Sequence, residues 1–260
     1  MNAYLLTDMT WEEVERALET VEIAIIPIGA QEQHGPHMAE SCDSVLATEM
    51  SNRLAERLFP HALVTPTINM GISPHHLNFP GTITLKPSTL QAILRDMIES
   101  LKHHGIKRFL LLNAHGGNQS TLSVASTTLS QELDVQVYFA KTTASAKEAM
   151  TRNIDSPLFG HSCEREVSEA LYLAPHIVRR NLLTKGDIQE EGRWKMLRPG
   201  KPLQGFYAYE EMTRNGCIGD ATKASEEIGK EIVEEALTRL SESVRLIIEQ
   251  ENTINNFQNT

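Results

Sequence analysis

Residues 108–118 read Arg-Phe-Leu-Leu-Leu-Asn-Ala-His-Gly-Gly-Asn. A short apolar run of this kind fits a strand buried on both faces. Asn-Ala-His-Gly-Gly-Asn is then a loop, and a helix is expected to start near Asn118. Upstream, Leu90, Ile93, Leu94, Met97, Ile98 and Leu101 recur at helical spacing. Ser88-Thr-Leu-Gln91 has the form of a capping box, and Gly105 stands where a helix C′ residue belongs. Downstream, residues 134–140 read as a further strand. Helix, strand, loop, helix and strand in this rhythm argue for a parallel sheet with helices on both faces. Right-handed crossovers place the loops after the strands on one edge, where open α/β folds bind ligands.

The same rhythm extends outward. Thr10-Trp-Glu-Glu13 predicts a capped helix to about Thr20, and residues 22–28 predict a buried strand. Residues 43–57 predict a helix and residues 62–65 a short strand, followed by a long loop over 66–81. Beyond Leu183 the pattern weakens, and residues 185–220 mix Gly, Pro and charge. Residues 224–250 form a long amphipathic helix with Ile228, Ile232, Val233, Leu237, Leu240, Val244 and Ile248 on its apolar side. The expected organisation is one domain over residues 1–250 and a frayed polar tail over 251–260.

Composition narrows the class. The 260 residues carry 24 Lys+Arg and 34 Asp+Glu, a net charge of −10. An acidic chain of this kind is not built for nucleic acid, which needs clustered Lys and Arg. Apolar residues at 40% exclude wholesale disorder. No apolar run approaches the roughly 18–20 residues that span a bilayer, and residues 1–10 show no signal-peptide pattern. Three cysteines without a CxxC pair fit a reducing compartment, so a cytoplasmic protein is expected.

Three clusters carry chemistry. The first strand runs into Glu32, Gln33, His34, His37, Glu40 and Asp43. His and carboxylate together suit Zn²⁺, Mn²⁺ or Fe²⁺, although such a loop can also be merely polar and solvated. His115 follows the strand at 108–112 and points toward the same edge. His161, Glu164 and Glu166 precede an apolar helical stretch, where acids also favour the helix dipole. Three such loops on one sheet edge concentrate carboxylates that repel each other unless a cation offsets them.

Residues 29–38 (Gly-Ala-Gln-Glu-Gln-His-Gly-Pro-His-Met), followed by Asp43, resemble the signature of the creatininase (creatinine amidohydrolase) family. Residues 76–82, 113–118, 161–168 and 216–222 resemble its H-x-x-F-P-G-T, N-G-H-G-G-N, H-A-G-E-x-E-T-S and G-x-x-G-D-P-T segments, in that order. The resemblance implies a three-layer α/β/α sandwich with a mainly parallel sheet. It also implies two divalent ions, Zn²⁺ or Mn²⁺ with Fe²⁺ as a further option, and a homo-oligomer, often a hexamer. Carried over by position, Glu32, His34, Asp43 and His115 are metal ligands, with Asp43 bridging. Creatininase proper has a Glu where this chain has Gly117, so Glu166 is assigned as the fifth ligand. His161 and Glu164 are the expected proton-handling groups.

The chain also departs from the pattern. Ser162-Cys163 replaces Ala-Gly, Val167 replaces Thr, and Ala221 replaces Pro. Tryptophan occurs only at 11 and 194, outside the central stretch where creatininase lines its substrate pocket with it. The implied activity is metal-dependent hydrolysis of a small molecule, either opening a cyclic amide or cleaving a linear amide or formamide. The alternatives are a hydrolase opening a cyclic diketone in inositol catabolism, a sugar isomerase, or a metal-binding regulatory protein on the same fold. Substrate contacts are expected in residues 66–81 and 185–220.

Overall fold

The computed structural model describes residues 3–198 and 200–258, the side chains of 251–258 excepted. Five strands, β1 (Tyr4–Leu5), β2 (Ile23–Ile28), β3 (Ala62–Val64), β4 (Arg108–Asn113) and β5 (Gln136–Lys141), form one sheet in the order β1-β3-β2-β4-β5. Every pairing is parallel. The helices are α1 (Trp11–Ala17), α2 (Cys42–Leu58), α3 (Pro87–His103), α4 (Gln119–Leu133), α5 (Lys147–Asn153), α6 (Glu164–Leu173), α7 (Trp194–Leu197) and α8 (Glu226–Gln258).

The pleat sorts the core into two layers. Ile23, Ile25, Leu110 and Leu112 pack against α2, α6 and α8. Ala24, Ile26, Ile28, Phe109 and Leu111 pack against α3 and α4 on the other face. A strand apolar on both sides has to lie inside a sandwich, which is why β2 and β4 read as continuous apolar runs. The expected three-layer α/β/α architecture is the one observed.

Thr10 and Glu13 form the capping box of α1. Gly105 has φ +96° and closes α3, with Gly105 N–H donating to Lys102 O and Ile106 N–H to Leu101 O. The capping box expected at Ser88 does not form. Pro87 occupies the first turn, Lys86 is the N-cap and no side chain caps it. Among the described residues of 185–220, expected to be irregular, the helical elements are α7 and one 3-10 turn at Tyr209–Glu211, set around a small core of Trp194, Met212 and Ile218. Helix α8 runs to Gln258, past the end expected at residue 250. The packing of the tail's side chains, and residues 259–260, lie outside the described residues.

One feature of the topology positions the site. After β2 the chain leaves through α2 toward β3, and after β4 it leaves through α4 toward β5. These helices lie on opposite faces, so the loops after β2 and β4 diverge and leave a crevice between them. Ile28 and Asn113 pair in register, so both loops start level with one another. Asn118 ties them together. Its Nδ2 donates to Gly29 O at 3.0 Å and its Oδ1 accepts from Ile72 N at 2.8 Å.

Phe109 is fully buried at the centre of the sheet. Phe109→Ala is expected to cost about 3–5 kcal/mol of stability. Denaturant unfolding followed by circular dichroism checks this.

Candidate metal centre

Four loops converge on the crevice. The β2–α2 loop brings Glu32 and His34, and Asp43 lies in the first turn of α2. The loop after β4 brings His115, and the segment before α6 brings His161. Residues 74–76 form a 3-10 turn that adds His75 and His76. Glu32, His34, Asp43, His76, His115, His161 and Glu166 are all buried.

The two oxygens of Asp43 face different histidines. Oδ1 is 3.4 Å from His34 Nε2, and Oδ2 is 3.1 Å from His115 Nδ1. Glu32 Oε1 lies 3.3 Å from His115 Nδ1, 3.3 Å from His76 Nε2 and 3.7 Å from His161 Nδ1.

Backbone carbonyls fix the tautomers. His34 Nδ1–H donates to Glu32 O at 3.1 Å, His115 Nε2–H donates to Ile72 O at 3.0 Å, and His161 Nε2–H donates to Gln33 O at 2.7 Å. In each ring the other nitrogen is left bare toward the acids, the arrangement that orients a metal ligand.

The donor set fits a cation. Glu32 Oε1 and Oε2, His34 Nε2 and Asp43 Oδ2 are buried and have no hydrogen-bond partner among the described residues. A buried carboxylate without a partner is costly. Here the orphaned atoms point at one another, so one positive ion between them would satisfy the set. Groups of three donors within 4.8 Å of one another include Glu32–His34–Asp43 and His34–His161–Glu166.

The α6 carboxylates part as the helical repeat requires, because two residues turn the helix by about 200°. Glu166 lines the cavity. Its Oε2 accepts from Ser162 N at 2.5 Å and its Oε1 from Arg165 at 2.8 Å. Glu164, expected to handle protons, is not among the cavity-lining residues. Its Oε2 accepts from Asp220 N at 2.8 Å. A Cβ on Gly219 would stand 2.7 Å from that oxygen, so the late Gly-Asp motif sits directly on Glu164. Helix phase turns Glu164 toward the 216–222 segment.

His37 and Glu40, also grouped with the ligands by sequence, turn away. His37 Nε2 contacts Ser162 O at 3.0 Å, and Glu40 Oε2 accepts from Gln31 at 2.9 Å.

Some site residues were missed. His76 opens the motif at residues 76–82, and His75 lies in the long loop over 66–81, but neither stands out by sequence as a ligand. Gln33 links the loops: Nε2 donates to His76 Nδ1 at 2.9 Å and Gly216 O at 3.1 Å, and Oε1 accepts from Gly35 N at 2.8 Å. Tyr209 packs against His76, with ring centroids 4.0 Å apart. The cavity measures about 590 Å³, and Phe206, Tyr207 and Lys141 add to its wall. Phe206 and Tyr207 belong to the stretch expected to hold substrate contacts.

Charge and burial compete here. Burial raises the Asp43 and Glu32 carboxyls, but neighbouring imidazoles outweigh it, His34 and His115 at Asp43 and mainly His115 at Glu32. Asp43 is held well below the usual carboxylate range and Glu32 below its ordinary value. Burial works against charge on His34 and His115. Cys42 and Asp43 at the first, and Glu32 and Asp43 at the second, hold both well above the usual imidazole range. Burial lowers His161 to about 3 and His75 to about 4. Burial raises Glu166, partly offset by Arg165.

Known proteins share this architecture. The profile of the Creatininase family, creatinine amidohydrolase, matches residues 7–244. A 3-dehydro-scyllo-inosose hydrolase from Thermotoga maritima is 28% identical over 93% of this chain and 83% of its own. A mycofactocin precursor peptide peptidase from Mycolicibacterium smegmatis is 25% identical over 86% of this chain and 85% of its own. Creatinine amidohydrolase from Pseudomonas putida is 36% identical over 117 residues, 43% of this chain, and the chain spans 44% of that relative's length. A crystal structure of creatininase superposes with a TM-score of 0.83 at 25% identity, covering 95% of this chain and 99% of that one. Solved creatininases include manganese and zinc–zinc types. Fold, site and relatives together define a hydrolase built around a cluster of His and carboxylate donors able to hold a metal ion. The chain belongs to the creatininase family.

Asp43 beside both rings, and Glu32 beside His115, favour protonation of the His34 and His115 nitrogens that face them, so protons compete with a cation for those two atoms. A cation must displace those protons. Metal binding at pH 7 is therefore expected to release protons, and affinity is expected to fall as pH falls. Calorimetry in buffers of different ionisation enthalpy measures the release. Binding without proton release at pH 7 would contradict this.

Proposed function

We propose that the protein binds two divalent cations, Zn²⁺ or Mn²⁺, on either side of Asp43 and hydrolyses an amide bond in a small molecule. The observation that carries this reading is the pair of Asp43 oxygens facing His34 and His115. Glu32, Asp43 and His115 would hold one cation, and His34, Asp43 and Glu166 the other. Bound cations would supply Lewis acidity and a water acidified toward neutrality.

The chain's own groups do the rest. Arg165 and Ser162 N hold the Glu166 carboxylate in place. His161, anchored through Nε2 on Gln33 O, presents its bare Nδ1 to the cavity, and in this reading it takes a proton from the attacking water and passes it to the leaving nitrogen. Tyr207, Tyr209 and Phe206 would bound the substrate and exclude water. Glu164 is a positioning residue, holding residues 219–220 against α6.

The aromatic wall contains no tryptophan. Trp11 is on the surface and Trp194 lies in the small separate core. Creatinine itself is therefore not the substrate we favour. A second reading has its own support: the 3-dehydro-scyllo-inosose hydrolase matches along 93% of the chain, which favours hydrolytic opening of a polyhydroxylated ring. In that case His161 would deliver the proton to carbon.

We also propose a homo-oligomer, by analogy with the family, and one domain over residues 1–250. A cytoplasmic location is consistent with three free cysteines and with the absence of any described helix long and apolar enough to cross a membrane.

Metal analysis joined to a screen of lactams, formamides and cyclic ketones tests the activity. Glu166→Gln is expected to lose one ion and nearly all turnover, whereas Glu164→Gln keeps both ions. Two ions in Glu166→Gln together with one in Glu164→Gln would reverse the assignment.

A further inference from the structure

The ring of His75 makes no side-chain hydrogen bond among the described residues; its neighbours are other rings. It lies nearly parallel to His115, with centroids 5.8 Å apart and planes 9° from coplanar. His76 at 4.4 Å and Tyr209 at 5.1 Å flank it. One of its nitrogens lies within 4.8 Å of donor atoms of both Glu32 and His115. It lines the cavity, and none of the activity described above uses it.

The room for this ring depends on Gly117. A Cβ there would stand 2.1 Å from Ile72 O, 2.4 Å from His115 Nε2 and 3.0 Å from His75 Cε1. Any side chain at 117 would displace the carbonyl that fixes the His115 tautomer, or push His75 away. The glycine thus joins two features: a correctly oriented His115 and a second imidazole stacked beside it.

We infer that His75 is a further ligand of the cation held by Glu32, Asp43 and His115. This rests on the metal-centre reading given above. Glu32, Asp43 and His115 offer that cation two carboxylates and one nitrogen. His75 raises this to four donors, two nitrogen and two oxygen, a set that suits zinc or manganese. The flanking rings of His76 and Tyr209 restrict His75, so the donor is partly pre-oriented.

The alternative is that His75 is only an aromatic wall, and His75→Phe separates the two. Phenylalanine keeps the ring stack and removes both nitrogens. The experiment strips the protein with chelator and titrates it with Co²⁺ alone, following visible absorption, which reports the donor set. The parent is expected to take up cobalt. His75→Phe and His75→Ala are expected to weaken one cobalt site by about 10- to 100-fold and to change its spectrum, with metal-free thermal unfolding unchanged. A folded His75→Phe protein with the parent's spectrum and affinity would overturn the assignment and leave the metal centre standing. A parent that takes up no cobalt would overturn both.

Discussion

The constraint on which the structure turns is the burial of several carboxylates in one crevice. Glu32, Asp43 and Glu166 are all buried and all line the same cavity. Taking such charges out of water costs several kcal/mol each unless they are compensated. Asp43 gains something from the N-terminal turn of α2. Glu166 has Arg165 and a backbone N–H. Glu32 has neither, and both its oxygens are orphaned. Imidazoles with bare nitrogens surround it, and a cation shared with Asp43 is the simplest way to stabilise the arrangement.

The fold supplies this geometry through its switch point. The loops after β2 and β4 leave for opposite faces from strands paired in register, so their ends are close but not filled. What holds the loops is mostly backbone. Carbonyls of residues 32, 33 and 72 set three histidine tautomers. Ser162, at φ +52°, sits in the left-handed region that non-glycine residues rarely adopt. From there its N–H reaches Glu166, and its hydroxyl donates to His34 O at 2.6 Å. The strained backbone joins the α6 acid to the first loop, a link this chain makes with a hydroxyl where the family pattern has alanine.

The sheet was legible because β2 and β4 are apolar on both faces and their helices carry a clear 3.6-residue period. The ligand loops were legible because His and acid follow directly on those strands. Glu164 and Glu166 stand two residues apart, so helical phase separates them; the choice of Glu166 as the inward acid comes from its matching family position, and Gly219 seats on Glu164 on the other side. His75, His76 and Tyr209 were missed as site residues because no periodic element leads into them. They come from irregular segments whose position depends on tertiary contacts such as Asn118 to Ile72 N. The Ser88 capping box failed because a proline one position earlier outcompeted it.

The central claim is that Asp43 bridges two cations. Anomalous scattering from crystals of the zinc- or manganese-loaded protein, collected on both sides of the metal edge, tests it directly. Two peaks are predicted, about 3.5–4 Å apart, one beside Glu32 and His115 and the other beside His34, with an Asp43 oxygen on each. Peaks lying away from Asp43, or none in the crevice, would contradict the account.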